Sequence, residues 1–148
     1  MNVEMILKTE KPIALESRSL IHLILVSNKV NEQYASALKE YDISQQQFNV
    51  LRILRGQKGK AANLQTLNER MISKQSNTTR LVDKLLNKGL VNRMVCPSNR
   101  RKIEITITEE GKALLLKLDK IVSRTEDELL SGFSNEDLRQ LNNLLDKF

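Results

Sequence analysis

Eight basic side chains fall between Ser73 and Lys102: Lys74, Arg80, Lys84, Lys88, Arg93, Arg100, Arg101 and Lys102, opposed there by Asp83 alone. That segment nets +7 in a chain whose formal charge is +6, so the other 118 residues sum to −1. Charge gathered in this way is chemistry for holding phosphates. Among the cations stand Gln75, Ser76, Asn77 and Thr79, whose side chains carry donors and acceptors suited to base edges. Gln and Asn pair with adenine and Arg with guanine, each good bidentate pair discriminating by about 1–3 kcal/mol. Thr78, Leu81, Val82 and Leu85 recur at i, i+3, i+4 and i+7, the core stripe of a helix. Ser76, Asn77, Thr79, Arg80 and Lys84 then fall on its other sides, with Gln75 exposed in the first turn.

Gln75, Ser76, Asn77, Thr79 and Arg80 are therefore the candidates for base contacts. Lys74, Lys84 and Arg93 are the candidates for phosphate contacts, which position a protein without specifying sequence. Arg100, Arg101 and Lys102 crown a predicted hairpin, and Arg101 is placed to enter a narrow minor groove, where negative potential concentrates. A solvated polar helix face and a charged hairpin tip are the bland alternatives; their adjacency argues for a single binding surface. Arg52, Arg55, Lys58 and Lys60 suit the C-terminal end of the preceding helix. Aromatics make up only 3% of the chain and none lies between Phe48 and Phe133. Single strands and RNA loops are usually read by stacking bases on aromatic rings. The basic segment lacks that platform, which favours double-stranded DNA.

Catalytic and metal chemistry find no support. No His-Glu-x-x-His, glycine-rich phosphate loop or Gly-x-Ser-x-Gly occurs, and the chain holds one histidine and one cysteine. The reading is thus not an enzyme, with no cofactor and no metal. His22, between Ile21 and Leu23, reads as a packed or interface histidine. Cys96 reads as a bystander thiol, because reactivity needs both exposure and a depressed pKa. No run reaches the roughly 18 apolar residues of a membrane span, and the N-terminus lacks a basic region ahead of an apolar run. A cytoplasmic protein without a membrane partner is expected.

The elements that must position these side chains are mostly helical. Leu20, Leu23, Ile24, Val30, Tyr34 and Leu38 form a stripe from about Pro12 to Lys39, and Ile21 with Leu25 adds a second. Ser44 and Gln47 make a capping box for a helix through Phe48, Leu51 and Leu54, stopped near Gly56. Leu64 to Met71 reads as a short helix. Ser73 is the expected N-cap of the helix that ends at Gly89. Leu90 to Val95 and Ile103 to Ile107 read as strands, with residues 96 to 102 as the loop between them. Thr108 caps a long helix whose stripe is Leu114, Leu115, Leu118, Ile121, Val122, Thr125 and Leu129. Ser134 with Asp137 starts a last helix carrying Leu138, Leu141, Leu145 and Phe148. The predicted fold is mainly α with a small β-hairpin wing: a winged helix-turn-helix domain over 44–111, flanked by terminal helices over 12–40 and 112–148. Those terminal helices carry more apolar surface than one lobe can cover, so a second copy is expected on them across a two-fold axis. Folding back onto their own lobe is the alternative.

With the elements in this order, the chain resembles the MarR family of bacterial winged-helix regulators over nearly its whole length. The residues that carry the resemblance are TTRLVDKLLNKGLV from Thr78 to Val91, Arg100 with Arg101, and ITITEEG from Ile105 to Gly111. The family's wing holds an Asp-x-Arg signature; Arg101 stands at the arginine position and Asn99 where the aspartate belongs. A neutral asparagine accepts a hydrogen bond but gives up the Coulomb attraction that would orient the arginine. Thr78 stands where the family has an apolar residue, and its methyl can still face the core. The resemblance implies a homodimer with two recognition helices in successive major grooves of a pseudo-palindromic operator. It also implies a repressor that releases DNA when a small anionic or phenolic effector binds between the dimer and DNA-binding lobes. Two other readings stay open: a non-specific architectural DNA-binding protein, and a winged-helix module that meets an acidic protein.

Overall fold

The computed structural model describes every residue except 74–76 and 97–98; the side chains of residue 96 and of residues 99–102 also lie outside the description. The described elements run α1 (Val3–Leu7), α2 (Leu15–Lys39), α3 (Gln45–Gly56), α4 (Leu64–Arg70), α5 (Thr78–Asn87), β1 (Val91–Cys96), β2 (Asn99–Ile107), α6 (Glu109–Leu130) and α7 (Asn135–Leu145). This is the mainly helical architecture with one antiparallel hairpin that the sequence predicts.

Helix starts follow local side-chain chemistry. At α3 the Ser44 hydroxyl accepts from Gln47 N at 3.2 Å while the Gln47 amide oxygen accepts from Ser44 N at 2.8 Å, the expected capping box. Ser134 and Asp137 form the same device at α7. Asn63 caps α4 by accepting from Thr66 N at 2.8 Å. Thr108 accepts from Gly111 N at 3.0 Å to cap α6, and its hydroxyl donates to the Gly89 carbonyl at 2.8 Å, tying α6 to the end of α5. Gly111 itself is dictated by packing. A Cβ there would stand 2.2 Å from the Leu90 carbonyl oxygen, far inside contact distance.

The core lies in the lobe that holds α3 to β2, closed by α6. Val50, Leu51, Leu67, Leu85, Ile105, Leu115 and Leu118 are fully buried, with Phe48, Leu54, Val82 and Val91 nearly so. On α5 the buried set is Thr78, Val82 and Leu85, with Leu81 partly buried, so the predicted stripe is the packed one. Strand β1 pairs antiparallel with β2 in the register Val91↔Ile107, Arg93↔Ile105 and Val95↔Ile103, with an irregularity between Val95 and Cys96.

Four expectations need correction. Asn77, not Ser73, caps α5: its side chain accepts from Arg80 N at 3.1 Å, and the described helix begins at Thr78. Both residue types make good caps, and burial of Thr78, hydrogen-bonded to Asn68, fixes which one is used. Strand β2 begins at Asn99 rather than Ile103, because Asn99 pairs with Cys96 across the irregularity in the ladder and the sequence there carries no alternation to signal a strand. Helix α2 begins at Leu15 instead of Pro12, and an unexpected α1 precedes it, capped by Asn2 and anchored by buried Val3. The hairpin also has a third partner. Ala62 bridges Ile105 through paired backbone hydrogen bonds of 2.9 and 2.7 Å.

Candidate nucleic-acid interface

Helix α5 presents two chemistries on opposite sides. Inward lie Thr78, Val82 and Leu85; outward lie Thr79, Arg80 and Lys84, all exposed. The helical period alone makes this separation, since residues three and four apart share a side. Asn77 is exposed too, but its side-chain oxygen is committed to the cap. Bidentate pairing with adenine uses that oxygen as well as the amide nitrogen, so the cap occupies one of the two lone pairs such a contact could use. Lys74, Gln75 and Ser76 lie outside the described residues. The side chains of Arg100, Arg101 and Lys102 do so as well, while their backbone belongs to β2.

Among the described residues, two of the basic segment's cations meet carboxylates. Arg93 Nη1 on β1 lies 2.6 Å from Asp83 Oδ1 on α5, both side chains about half exposed. Lys88, just past α5, donates to the Asp42 carboxylate at 2.5 Å and also to the Asp42 carbonyl. Asp42 sits in the turn between α2 and α3 with a left-handed φ of 51°. The Lys88 hydrogen bond, then its charge, holds the Asp42 carboxyl below the usual carboxylate range. Helix α5 is thus tied to the wing at Asp83 and to the α2–α3 turn at its end. Lys88 has no expected role from sequence, and Arg93, expected at phosphate, also meets the Asp83 carboxylate. Sequence separation hides such pairs.

Behind this surface, a groove of about 470 Å³ opens between α2, α3 and residues 71–73, which lead toward α5. Asn31, Gln45, Gln46 and Asn49 supply amides along it, and Ile72 forms an apolar lip. A smaller cavity of about 230 Å³ shares Gln45, Asn49 and Ile72 and reaches Tyr34, Arg52 and Glu126. Arg52 lies over the Phe48 ring, 5.6 Å from its centre. The Tyr34 hydroxyl donates to Glu126 at 2.9 Å; partial burial, reinforced by this carboxylate, pushes the phenol up to about 12. Tyr34 and Glu126 are 92 residues apart, so no sequence signal could have paired them.

The remaining candidates are quiet. His22 Nε2 lies 3.3 Å from the Met1 carbonyl oxygen, a packing contact between chain start and α2. The Cys96 side chain lies outside the description. Among the described residues no group of three His, Cys, Asp or Glu is placed to hold a metal ion. No described helix is long and apolar enough to cross a membrane.

Comparison with known proteins converges on one family. The family model for MarR matches residues 43–103, which span α3 through most of the hairpin. Among solved structures, a MarR-like transcription regulator from Bacillus cereus is 26% identical, with 90% of this chain and 96% of that one covered and a TM-score of 0.79. A cysteine-to-serine variant of MarR from E. coli, complexed with operator DNA, is 25% identical over 93% of this chain and 98% of its own, with a TM-score of 0.78. BpsR of Bordetella bronchiseptica, whose DNA binding is regulated by 6-hydroxynicotinic acid, shares the fold at 20% identity, with 93% and 96% covered and a TM-score of 0.79. Matching family model, hairpin wing and near-complete structural coverage agree: the chain is similar to the MarR family of winged helix-turn-helix transcription regulators, by the family model over residues 43–103 and by fold over most of its length.

Proposed function

We propose that this protein is a homodimeric, sequence-specific repressor that occludes a pseudo-palindromic operator on double-stranded DNA in the cytoplasm. The observation that carries this reading is the outward side of α5, where Thr79, Arg80 and Lys84 stand exposed within the segment that concentrates the chain's positive charge. Gln75, Ser76, Asn77, Thr79 and Arg80 contact base edges in the major groove. Lys74 and Lys84 hold phosphates. Arg100, Arg101 and Lys102 follow the wing into the adjacent minor groove, led by Arg101.

Dimerisation is supported by what the terminal helices leave uncovered. Helix α2 has 25 residues and buries only Leu38, and α7 buries none. Leu20, Ile24, Leu144 and Phe148 are exposed by 54, 61, 59 and 89%. Exposed apolar side chains in this number call for a partner, and a two-fold copy offers the same helices in return.

The groove between α2 and α3 is the place for a small effector. Its lining of amides, with Arg52 and the Tyr34 hydroxyl in the adjoining cavity, suits a phenolic or anionic ring that hydrogen-bonds at its edge. A ligand there touches residues 71–73 and acts only insofar as it favours one spacing of the reading helices over another.

Selection of a preferred site from a random duplex pool, followed by titration of that site and a random duplex as salt rises, tests the reading. A regulator keeps a preference of about 10³-fold or more. Loss of preference would make the protein an architectural binder, and failure to bind either duplex would make it a protein-interaction module.

A further inference from the structure

Strand β1 brings Arg93 to the reading helix, with its side chain 39% exposed. Side chains alternate along a strand, so Arg93 shares a face with Val91, which is buried. Its cross-strand partner is Ile105, fully buried and itself bridged to Ala62, so Arg93 stands at the most constrained register of the hairpin. From there its guanidinium reaches the Asp83 carboxylate at 2.6 Å. Asp83 is also the one acidic residue on the basic segment. Left alone beside a duplex, that carboxylate would repel phosphates.

We infer that Arg93 is a positioning residue: its pair with Asp83 fixes the angle between wing and reading helix and neutralises the carboxylate, and Arg93 does not itself hold phosphate. Wing and helix must enter neighbouring grooves together, so their relative angle decides whether both sets of contacts form at once. The inference rests on the duplex-binding reading above.

The two roles for Arg93 predict opposite signs at Asp83. If Arg93 holds phosphate, Asp83→Asn frees a cation, removes a negative charge and tightens binding. If the pair positions the wing, the same change weakens binding to the selected duplex by about fivefold, the range typical of residues coupled by contact. The test uses the full chain, the duplex selected by the unmodified protein, and a random duplex of equal length. Asp83→Asn, Arg93→Gln and the double variant are titrated over a range of salt concentrations, with melting temperatures measured alongside. Three results are expected: each single variant loses preference for the selected duplex, the double variant loses no more than either single, and the salt slope of Arg93→Gln matches the unmodified protein. Tighter binding by Asp83→Asn would overturn the inference. So would additive losses, or a slope for Arg93→Gln shallower by about 1.8, two lost phosphate contacts per dimer at about 0.9 each. Arg93→Lys keeps the charge and can still reach Asp83; recovery of preference by this variant supports positioning even if Arg93→Gln melts early, and no recovery counts against it. Failure of the unmodified protein to prefer any duplex is a different outcome and removes the duplex reading instead.

Discussion

The lobe from α3 to β2 and the helices at the two ends of the chain are built from similar residues but solve different problems. In the lobe, a 12-residue helix buries Gln47, Phe48, Val50, Leu51 and Leu54. In the terminal region, the 25-residue α2 buries Leu38 alone and α7 buries nothing. Leucines abound in both. What differs is whether the chain supplies its own cover. The lobe is closed by its own chain, down to the glycine that lets α6 approach Leu90, whereas the terminal helices leave apolar side chains such as Leu20, Ile24 and Leu144 exposed. The division also separates tasks, since the basic surface belongs to the closed region and the uncovered leucines to the open one.

The largest test of that contrast is a matched pair of truncations. Leu85→Ala, at a fully buried site, is expected to cost about 2–5 kcal/mol, read by chemical denaturation at any protein concentration. Leu141→Ala, at a site 39% exposed, should leave the separated chain almost unchanged and appear instead as weaker self-association. Equal, concentration-independent losses at both sites would erase the distinction. Gly111→Ala comes next. The added methyl meets backbone at Leu90 rather than a flexible side chain, and a loss of about 3 kcal/mol is expected, toward the upper end for overpacking. An unaltered melting temperature would mean that α6 does not approach so closely.

The two capping boxes sharpen the comparison because their chemistry is nearly the same. Ser44→Ala and Ser134→Ala should each remove about 1 kcal/mol of helix stability. For Ser44 the loss is expected in the unfolding of the lobe at every concentration; for Ser134 it should grow visible only as dimer dissociation. A reversed pattern would relocate the interface. The smallest effect concerns Tyr34, which bridges α2 to α6. Its phenol is raised from 10 to about 12 in the folded protein, so the stability linked to it is complete below pH 10 and is lost as pH climbs toward 12. Ultraviolet titration should show a phenol ionising near 12 that disappears in Tyr34→Phe. With the side chain partly exposed, that variant should cost only about 1 kcal/mol.

What could be read from the sequence was local chemistry and period. Ser44 with Gln47, Thr108 ahead of two glutamates and the Thr78–Leu85 stripe all act within a few residues, and each does in the structure what its spacing predicted. Asn77 and Ser73 are both competent caps, and only tertiary burial of Thr78 decides between them. The Ala62 bridge to Ile105 is one residue long and has no period to detect. Helix α1 has five residues, too few for a stripe to stand out. The pairs Arg93–Asp83, Lys88–Asp42 and Tyr34–Glu126 join charges or hydroxyls that look like ordinary surface residues until the chain folds. The outward side of α5 was legible because it is the complement of a core stripe. Which of its side chains touch bases is a matter for the titrations proposed above.

The account depends most on two copies of the chain acting on one duplex. Mass measurement of the saturated complex with the selected duplex, combined with footprinting, addresses this directly. Two chains per duplex are expected, protecting half-sites about 34–36 Å apart, one turn of the double helix. One chain per duplex at saturation, with a single protected half-site and undiminished affinity, would contradict it.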